Sequence, residues 1–405
     1  MVSFQDRKES LKQICDPANR GFLLNIYGEA GIGKSRLMME ARERLRKNSP
    51  PTLVFYVDLK PVSQRAPMER PAVLLQELLS RAEGRLRVEG QGVEYDAGQI
   101  IAQLTVLSNQ NPVTLMFDTT ETLQEDMEFW KWLETNLIGP LVVEGSVQLI
   151  FAGRIPVPWR RVEVRRAVKL LLLQPLHPQE AARELAREVL RQHNAHWNEA
   201  VLEQAISLVL EFSFAHPLLS EKLAEFIAQE WQPPPGYNAG SGRSNSDSLD
   251  FGSEFRGKLC KEVVEPFVEQ HLLETVEPTW KKILWWVSVL DWFDATILQR
   301  YLRLVAPNMS TDKPDYFFVQ GLTRLRIHHT VVWREERGDR MHGVIGDIMR
   351  HCLQVQKPEV YRQACLKAAE MFDELAGEFE DDPEADRYRQ QAEKYRRRAA
   401  QEVEV

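Results

Sequence analysis

Eight residues, Gly28-Glu29-Ala30-Gly31-Ile32-Gly33-Lys34-Ser35, follow the apolar run Phe22 to Tyr27 and open an amphipathic stretch. Strand, glycine-rich loop and helix thus arrive in the order a phosphate-binding loop requires. Glycines at 28, 31 and 33 let the backbone curl until successive N–H groups converge on phosphate oxygens, an approach that side chains would block. Lys34 offers a charge between the β- and γ-phosphates, Ser35 a hydroxyl for Mg²⁺, and the helix that starts there a dipole aimed at the anion. The pattern implies a nucleoside triphosphate ligand; the bland alternative is a surface turn capping a helix.

Beyond the loop, Leu37, Met38, Ala41 and Leu45 share one helical face, and Asn48-Ser49-Pro50-Pro51 ends that helix before the apolar run Thr52 to Val57. Further apolar strands are expected at 113–117, 147–151 and 170–173, with helices near 72–82, 97–108 and 122–137 between them. Five such strands predict an α/β fold with a parallel sheet. From His177 to about Glu230 the pattern is helical, and 233–257 reads as a flexible linker, rich in Pro, Gly, Ser and Asn. Helices near 261–275, 279–290, 294–304 and 315–324 then precede an extended pair, 327–333 and 339–342, an order that suggests a winged helix. Two closing helices read as an αα-hairpin of tetratricopeptide-like form, with Tyr361, Ala364, Cys365, Ala368, Phe372 and Leu375 on one face and Ala385, Tyr388, Ala392 and Tyr395 on the other. The expected domains are 1–175, a P-loop nucleotide-binding domain; 176–232, a helical lid; 233–257, the linker; 258–356, the winged helix; and 357–405, the hairpin.

A chain of 405 residues exceeds one ordinary hydrophobic core, in keeping with several units. Its net charge of −8 gives no global electrostatic reason to bind nucleic acid or an anionic membrane, so protein partners are the default. Four cysteines without a CxxC pair argue against a disulfide framework or a zinc site. No apolar run approaches the ~18 residues of a membrane span, and the expected location is cytoplasmic.

Around the nucleotide, Asp118 stands where the strand 113–117 runs out, the place for a Mg²⁺-binding carboxylate. The alternative is a residue that merely begins a turn. Glu121 is a candidate to orient the attacking water or act as general base, or else a helix-terminal carboxylate ahead of the capping-box pattern Thr122 to Glu125. Arg154, leaving the next strand after Ala152-Gly153, is a candidate γ-phosphate sensor or a solvated arginine. His216-Pro217 opens a helix, and Met341-His342-Gly343 reads locally as another helix start with a packed histidine.

Taken in order, these elements resemble the nucleotide-binding core of the signal-transduction ATPases with numerous domains, the STAND branch of AAA-like P-loop ATPases (NB-ARC and NACHT relatives), over about the first 355 residues. Phe4 to Glu9 is similar to the family's N-terminal adenine-site motif, with Asp6 in place of glycine, and implies a role for Arg7. Gly28 to Arg36, Phe117 to Glu121 and Gly153-Arg154 resemble its Walker A, Walker B and sensor motifs. Ala215-His216-Pro217-Leu218 resembles the lid motif whose proline packs near the base, with Ala215 for glycine. Met341-His342-Gly343 resembles the winged-helix Met-His-Asp motif whose histidine touches the β-phosphate, with Gly343 for aspartate.

The resemblance implies a slow, Mg²⁺-dependent ATPase that acts as a switch: ADP holds the winged helix closed, ATP releases it and permits homo- or hetero-oligomers, in signalling or antiviral defence. Because neither an effector domain nor a long repeat sensor is legible in the chain, a separate effector or sensor subunit is expected, with the C-terminal hairpin as its docking surface. Two other readings stay open. A winged-helix DNA-associated ATPase of transcription or replication is kept alive by Arg324, Arg326, Arg334, Arg337 and Arg340, although acidic and basic residues nearly balance between Lys261 and Arg350. A nucleotide-binding scaffold that never hydrolyses is the third.

Overall fold

The computed structural model describes residues 7–16, 19, 21–82, 86, 96–176, 179–233, 251–310, 313–326, 332–335, 338–379 and 383–401. These fall into two compact units, one within 4–174 and one within 175–405.

The first unit alternates strands and helices: α1 (Lys8–Cys15), β1 (Leu23–Tyr27), α2 (Lys34–Arg46), β2 (Leu53–Asp58), α3 (Lys60–Ser63), α4 (Arg70–Arg81), α5 (Ala97–Gln110), β3 (Val113–Asp118), α6 (Met127–Leu133), α7 (Gly139–Glu144), β4 (Val147–Gly153), α8 (Val162–Ala167) and β5 (Val168–Leu172). Among the described residues the strands form one five-stranded parallel sheet in the order β2-β3-β4-β1-β5. Helices cover both faces. Leu11 and Ile14 of α1 and Leu37, Met38, Ala41 and Leu45 of α2 pack on Leu24, Ile26 and Ile150. On the other face α4 to α8 pack on Leu23, Leu149, Phe117 and Phe151, the last two stacked at 4.7 Å. β3 and β4 are buried along their whole length, which is why they read as unbroken apolar runs, whereas β5 lies at the edge with Leu170 exposed.

The single helix expected over 122–137 is broken into parts. A 3₁₀ turn, Thr120–Leu123, comes first, then α6, a π turn (Glu134–Ile138) and α7. The Thr122 to Glu125 pattern does not cap anything: Asp126 caps α6 by accepting from the Phe129 N–H at 3.0 Å. In the π turn the buried Glu134 carboxylate accepts from the Arg160 and Arg161 N–H groups at 2.9 and 2.8 Å, which anchors the segment after β4.

The second unit begins with α9 (Gln179–His193), α10 (Glu199–Ser213) and α11 (Pro217–Glu230). Residues 234–250 of the expected linker lie outside the described residues. Its C-terminal part is helical, because α12 (Ser253–Leu259) runs through two π turns and α13 (Glu265–Phe267) to Leu272. α14 (Pro278–Val287), α15 (Ala295–Val305) and α16 (Asp315–Arg324) precede an antiparallel pair, β6 (Val332–Glu335) and β7 (Gly338–Met341). Residues 327–331 of the expected hairpin, like 336 and 337 at its turn, are outside the described set. α17 (Gly343–Gln356), α18 (Pro358–Glu378) and α19 (Pro383–Ala400) close the unit.

One buried cluster runs from Leu176 through Trp280, Phe293 and Ile345 to Tyr395, so the segments read as lid, winged helix and hairpin share a core. The hairpin's apolar faces are buried: Phe372 stacks on Tyr395 at 5.6 Å, and Tyr361 and Ala364 pack with Val289 in a smaller cluster. Asp291 fixes α19 further, with Arg398 and Lys394 each at 2.7 Å and its own N–H donating to the Tyr395 hydroxyl at 2.8 Å.

Candidate nucleotide-binding site

β1 lies between β4 and β5 and its C-terminal end, Tyr27, is in register with Gly153 and Leu172. The loop that follows therefore opens at the carboxyl edge of the sheet, beside the end of β4 and one strand further from the end of β3. Gly28 (φ 153°), Gly31 (φ 76°) and Gly33 (φ 99°) all have positive φ. At Gly28 a Cβ would stand 2.7 Å from the Leu173 carbonyl oxygen, while at Gly33 nothing lies within 4 Å, so there glycine serves conformation alone. Gly33 caps α2 without any side-chain hydrogen bond to the helix's first N–H groups, which are the donors an anion takes.

Lys34 is buried, and its Nζ donates to the Gly28 and Glu29 carbonyls at 2.9 and 2.8 Å. Two of its three N–H donors are thus taken up by the loop itself, as a buried cation requires. Burial lowers its pKa, with Arg154 acting the same way and Glu121, Asp118 and Glu29 opposing. Arg7, itself in a left-handed conformation (φ 76°) at the start of α1, donates from Nη2 to the Ile32 carbonyl at 3.1 Å and so braces the loop. Phe4, Gln5 and Asp6 of the same motif lie outside the described residues.

Asp118 ends β3 and is 3% exposed. Its Oδ2 accepts from the Tyr56 hydroxyl at 2.6 Å and its Oδ1 from the Thr119 N–H at 2.8 Å. Thr119 takes the left-handed conformation (φ 62°) and donates from Oγ1 to Asp58 Oδ1 at 2.5 Å, which turns the chain into the 3₁₀ segment carrying Glu121. Glu121 faces Arg154 at 3.9 Å, both side chains being mostly buried. The residues expected as general base and sensor thus form an ion pair with each other. Gly153 makes this possible, since a Cβ there would overlap the Thr120 hydroxyl.

Tyr56 and Asp58 were not singled out from the sequence, whereas Thr119 and Gly153 lay inside the Walker B-like and sensor-like stretches without a role of their own. Tyr56 and Asp58 meet Asp118 and Thr119 through the pairing of β2 with β3.

Pro217 and His342 belong to the second unit. Pro217 is the first residue of α11, capped by the buried His216, whose Nδ1 accepts from the Leu219 N–H at 3.4 Å and whose ring meets Phe267 edge-on at 5.1 Å. Ala215 holds a positive φ of 60°, a backbone conformation that glycine favours. His342 precedes α17 and makes no side-chain cap there; Gly343 is exposed with open space around it.

No group of three or more His, Cys, Asp or Glu side chains arranged to hold a metal ion occurs among the described residues. A cation that shares the phosphates and takes one hydroxyl and one carboxylate from the protein fits what is present, Ser35 in the first turn of α2 and the pinned carboxylate of Asp118. No helix among the described residues is long and apolar enough to cross a membrane.

No family model matches the chain, and no curated protein matches it. Solved structures do. A Walker-type ATPase of Pyrococcus abyssi superposes with a TM-score of 0.52 at 14% identity, covering 86% of this chain and 96% of that one. A signal-transduction ATPase with numerous domains from Pyrococcus horikoshii, carrying a tetratricopeptide repeat sensor, matches at 16% identity and TM-score 0.35; the match covers 100% of this chain and 59% of that protein. The AMPPCP-bound replication initiator DnaA of Aquifex aeolicus matches at 14% identity and TM-score 0.39, over 80% and 89% of the two chains. With its phosphate-loop geometry, its five-stranded parallel sheet and its superposition on the Pyrococcus abyssi protein, the chain has an α/β P-loop NTPase fold similar to that of a Walker-type ATPase.

Proposed function

We propose that this protein is an ATP/ADP-dependent switch: a slow ATPase whose nucleotide state sets its conformation and its assembly with protein partners. The observation that carries the reading is the convergence of Lys34, Asp118, Glu121 and Arg154, from three neighbouring strand ends, within electrostatic reach of one another. A P-loop alone supports binding. A P-loop with a pinned carboxylate, a second acid and an arginine supports binding, hydrolysis and readout of the γ-phosphate.

In this scheme the loop N–H groups and Lys34 bind the phosphates, Arg7 steadies the loop, and Asp118 and Ser35 hold Mg²⁺, which neutralises phosphate charge. Glu121 orients the attacking water, and its pairing with Arg154 exchanges for a contact to the γ-phosphate. Pro217 and His342 are the proposed contacts of lid and winged helix, whose release on ATP binding would permit oligomers. Signalling or defence is the proposed setting, with an effector or sensor subunit as partner.

A DNA-associated role is less well supported, because two of the five arginines that favoured it are engaged within the protein: Arg326 with Asp339 and Arg324 with Glu277, each at 3.1 Å. Light scattering of the full chain with ADP, ATP and a non-hydrolysable ATP analogue tests the switch. A change in mass between ADP and the analogue is expected; identical masses, together with a salt-sensitive duplex-DNA gel shift, would favour the DNA reading instead.

A further inference from the structure

Asp118 is held from a strand that carries no recognised motif. β2 runs Leu53-Val54-Phe55-Tyr56-Val57-Asp58 beside β3, with Asp58 in register with Asp118 and Tyr56 with Met116. Tyr56 packs on the α2 face of the sheet, with Leu37 and Met38, and its hydroxyl reaches Asp118 Oδ2 at 2.6 Å. Burial first, and then the Asp118 carboxylate, push the phenol well above its ordinary pKa, with Asp58 adding to the effect and Arg42 of α2 opposing it.

We propose that Tyr56 is a positioning residue for the divalent cation, holding Asp118 in one rotamer through its hydroxyl. This rests on the nucleotide-binding reading given above. A carboxylate offers about four lone-pair sites. The phenol takes one on Oδ2 and the Thr119 N–H one on Oδ1, which leaves one on each oxygen for the cation or its water shell. Fixed at both oxygens, the carboxylate does not have to be ordered when the cation arrives. Partners of this kind, one bond removed from the metal, typically change metal affinity by about 10- to 100-fold when removed.

The Tyr56 ring is tethered by packing and the hydroxyl by a hydrogen bond, so Tyr56→Phe removes the second and keeps the first. Binding of a fluorescent ATP analogue to the full chain is titrated against Mg²⁺ and in EDTA for wild type, Tyr56→Phe, Asp118→Asn and the double variant. The expected result for Tyr56→Phe is an Mg²⁺ midpoint raised about 10-fold with the EDTA affinity unchanged, and no further shift when it is added to Asp118→Asn. Unchanged EDTA affinity shows that the variant is folded; a loss there would mark a structural role and overturn the proposal. A shift in Asp118→Asn with none in Tyr56→Phe, or a tighter Mg²⁺ midpoint in Tyr56→Phe, overturns the positioning role alone. A wild-type Mg²⁺ profile in Asp118→Asn removes the cation role of Asp118 and the proposal with it.

Discussion

A Cβ on Gly153 would overlap the hydroxyl of Thr120 and stand 3.3 Å from Glu121 Oε2. The end of β4 and the turn after β3 are thus interlocked, and the spacing of Glu121 from Arg154 depends on an atom that is missing.

Gly153→Ala should push the Thr120–Leu123 turn off the sheet end. We expect a stability loss of about 1–3 kcal/mol, the usual cost of overpacking, and a fall in ATP turnover larger than the fall in ATP affinity. Thermal denaturation and a comparison of turnover with binding check both; equal losses in turnover and affinity would contradict it.

Lys34→Met should abolish tight nucleotide binding and yet stabilise the nucleotide-free protein at pH 7. Burial lowers the Lys34 pKa, so the folded state carries a penalty for its charge. That penalty is full where the group is protonated in both states and fades as pH rises from the folded pKa toward the unfolded value near 10.5. The melting-temperature difference between Lys34→Met and wild type should therefore shrink between pH 7 and pH 10.

Glu121→Gln keeps the shape of the 3₁₀ turn but removes the charge facing Arg154. ATP hydrolysis should fall by about 100-fold, the lower end of the range for loss of a general base, while ATP stays bound and larger assemblies accumulate. Bound nucleotide measured after gel filtration, with mass by light scattering, would decide; unchanged occupancy and mass point to a scaffold that never hydrolyses.

In the second unit Glu211 of α10 ties two other helices, pairing with Arg256 of α12 and with His351 Nε2 of α17 at 3.1 Å. Burial would raise its pKa, but the hydrogen bond from His351 and the charge of Arg256 together outweigh burial and lower it. A carboxylate depressed in this way contributes stability that is present above its unfolded pKa, near 4.5, and is lost as pH falls through the folded value. Glu211→Gln should destabilise the protein at pH 6 and converge with wild type toward pH 3, as followed by circular dichroism melts.

The sheet was legible because strands buried on both faces leave apolar runs, as in β3 and β4, and because the phosphate loop fixes what flanks it. Lys34 could be named from the glycine loop that precedes it, and Asp118 and Arg154 because one ends an apolar strand and the other follows directly on one. Tyr56 could not, because its partner is 62 residues away and only the β2–β3 register joins them. The Thr122 to Glu125 pattern misled for a local reason: Thr119 turns the chain left-handed, the helix starts later, and Asp126 has the better position to cap it. The hairpin's faces were read correctly as apolar, but periodicity shows that a face is buried and never against what.

The strand that carries the phosphate loop is made before either of its neighbours in the sheet. Leu23 pairs with Leu149 on one side and Val168 on the other, so β1 has no neighbours until the ribosome has delivered residues more than a hundred positions downstream. Closing such long loops is slow relative to local helix formation. A nascent chain that stops short of β4 has every residue of the glycine loop and neither of the strands that frame it, so the loop can take its folded geometry only after most of the first unit has been made.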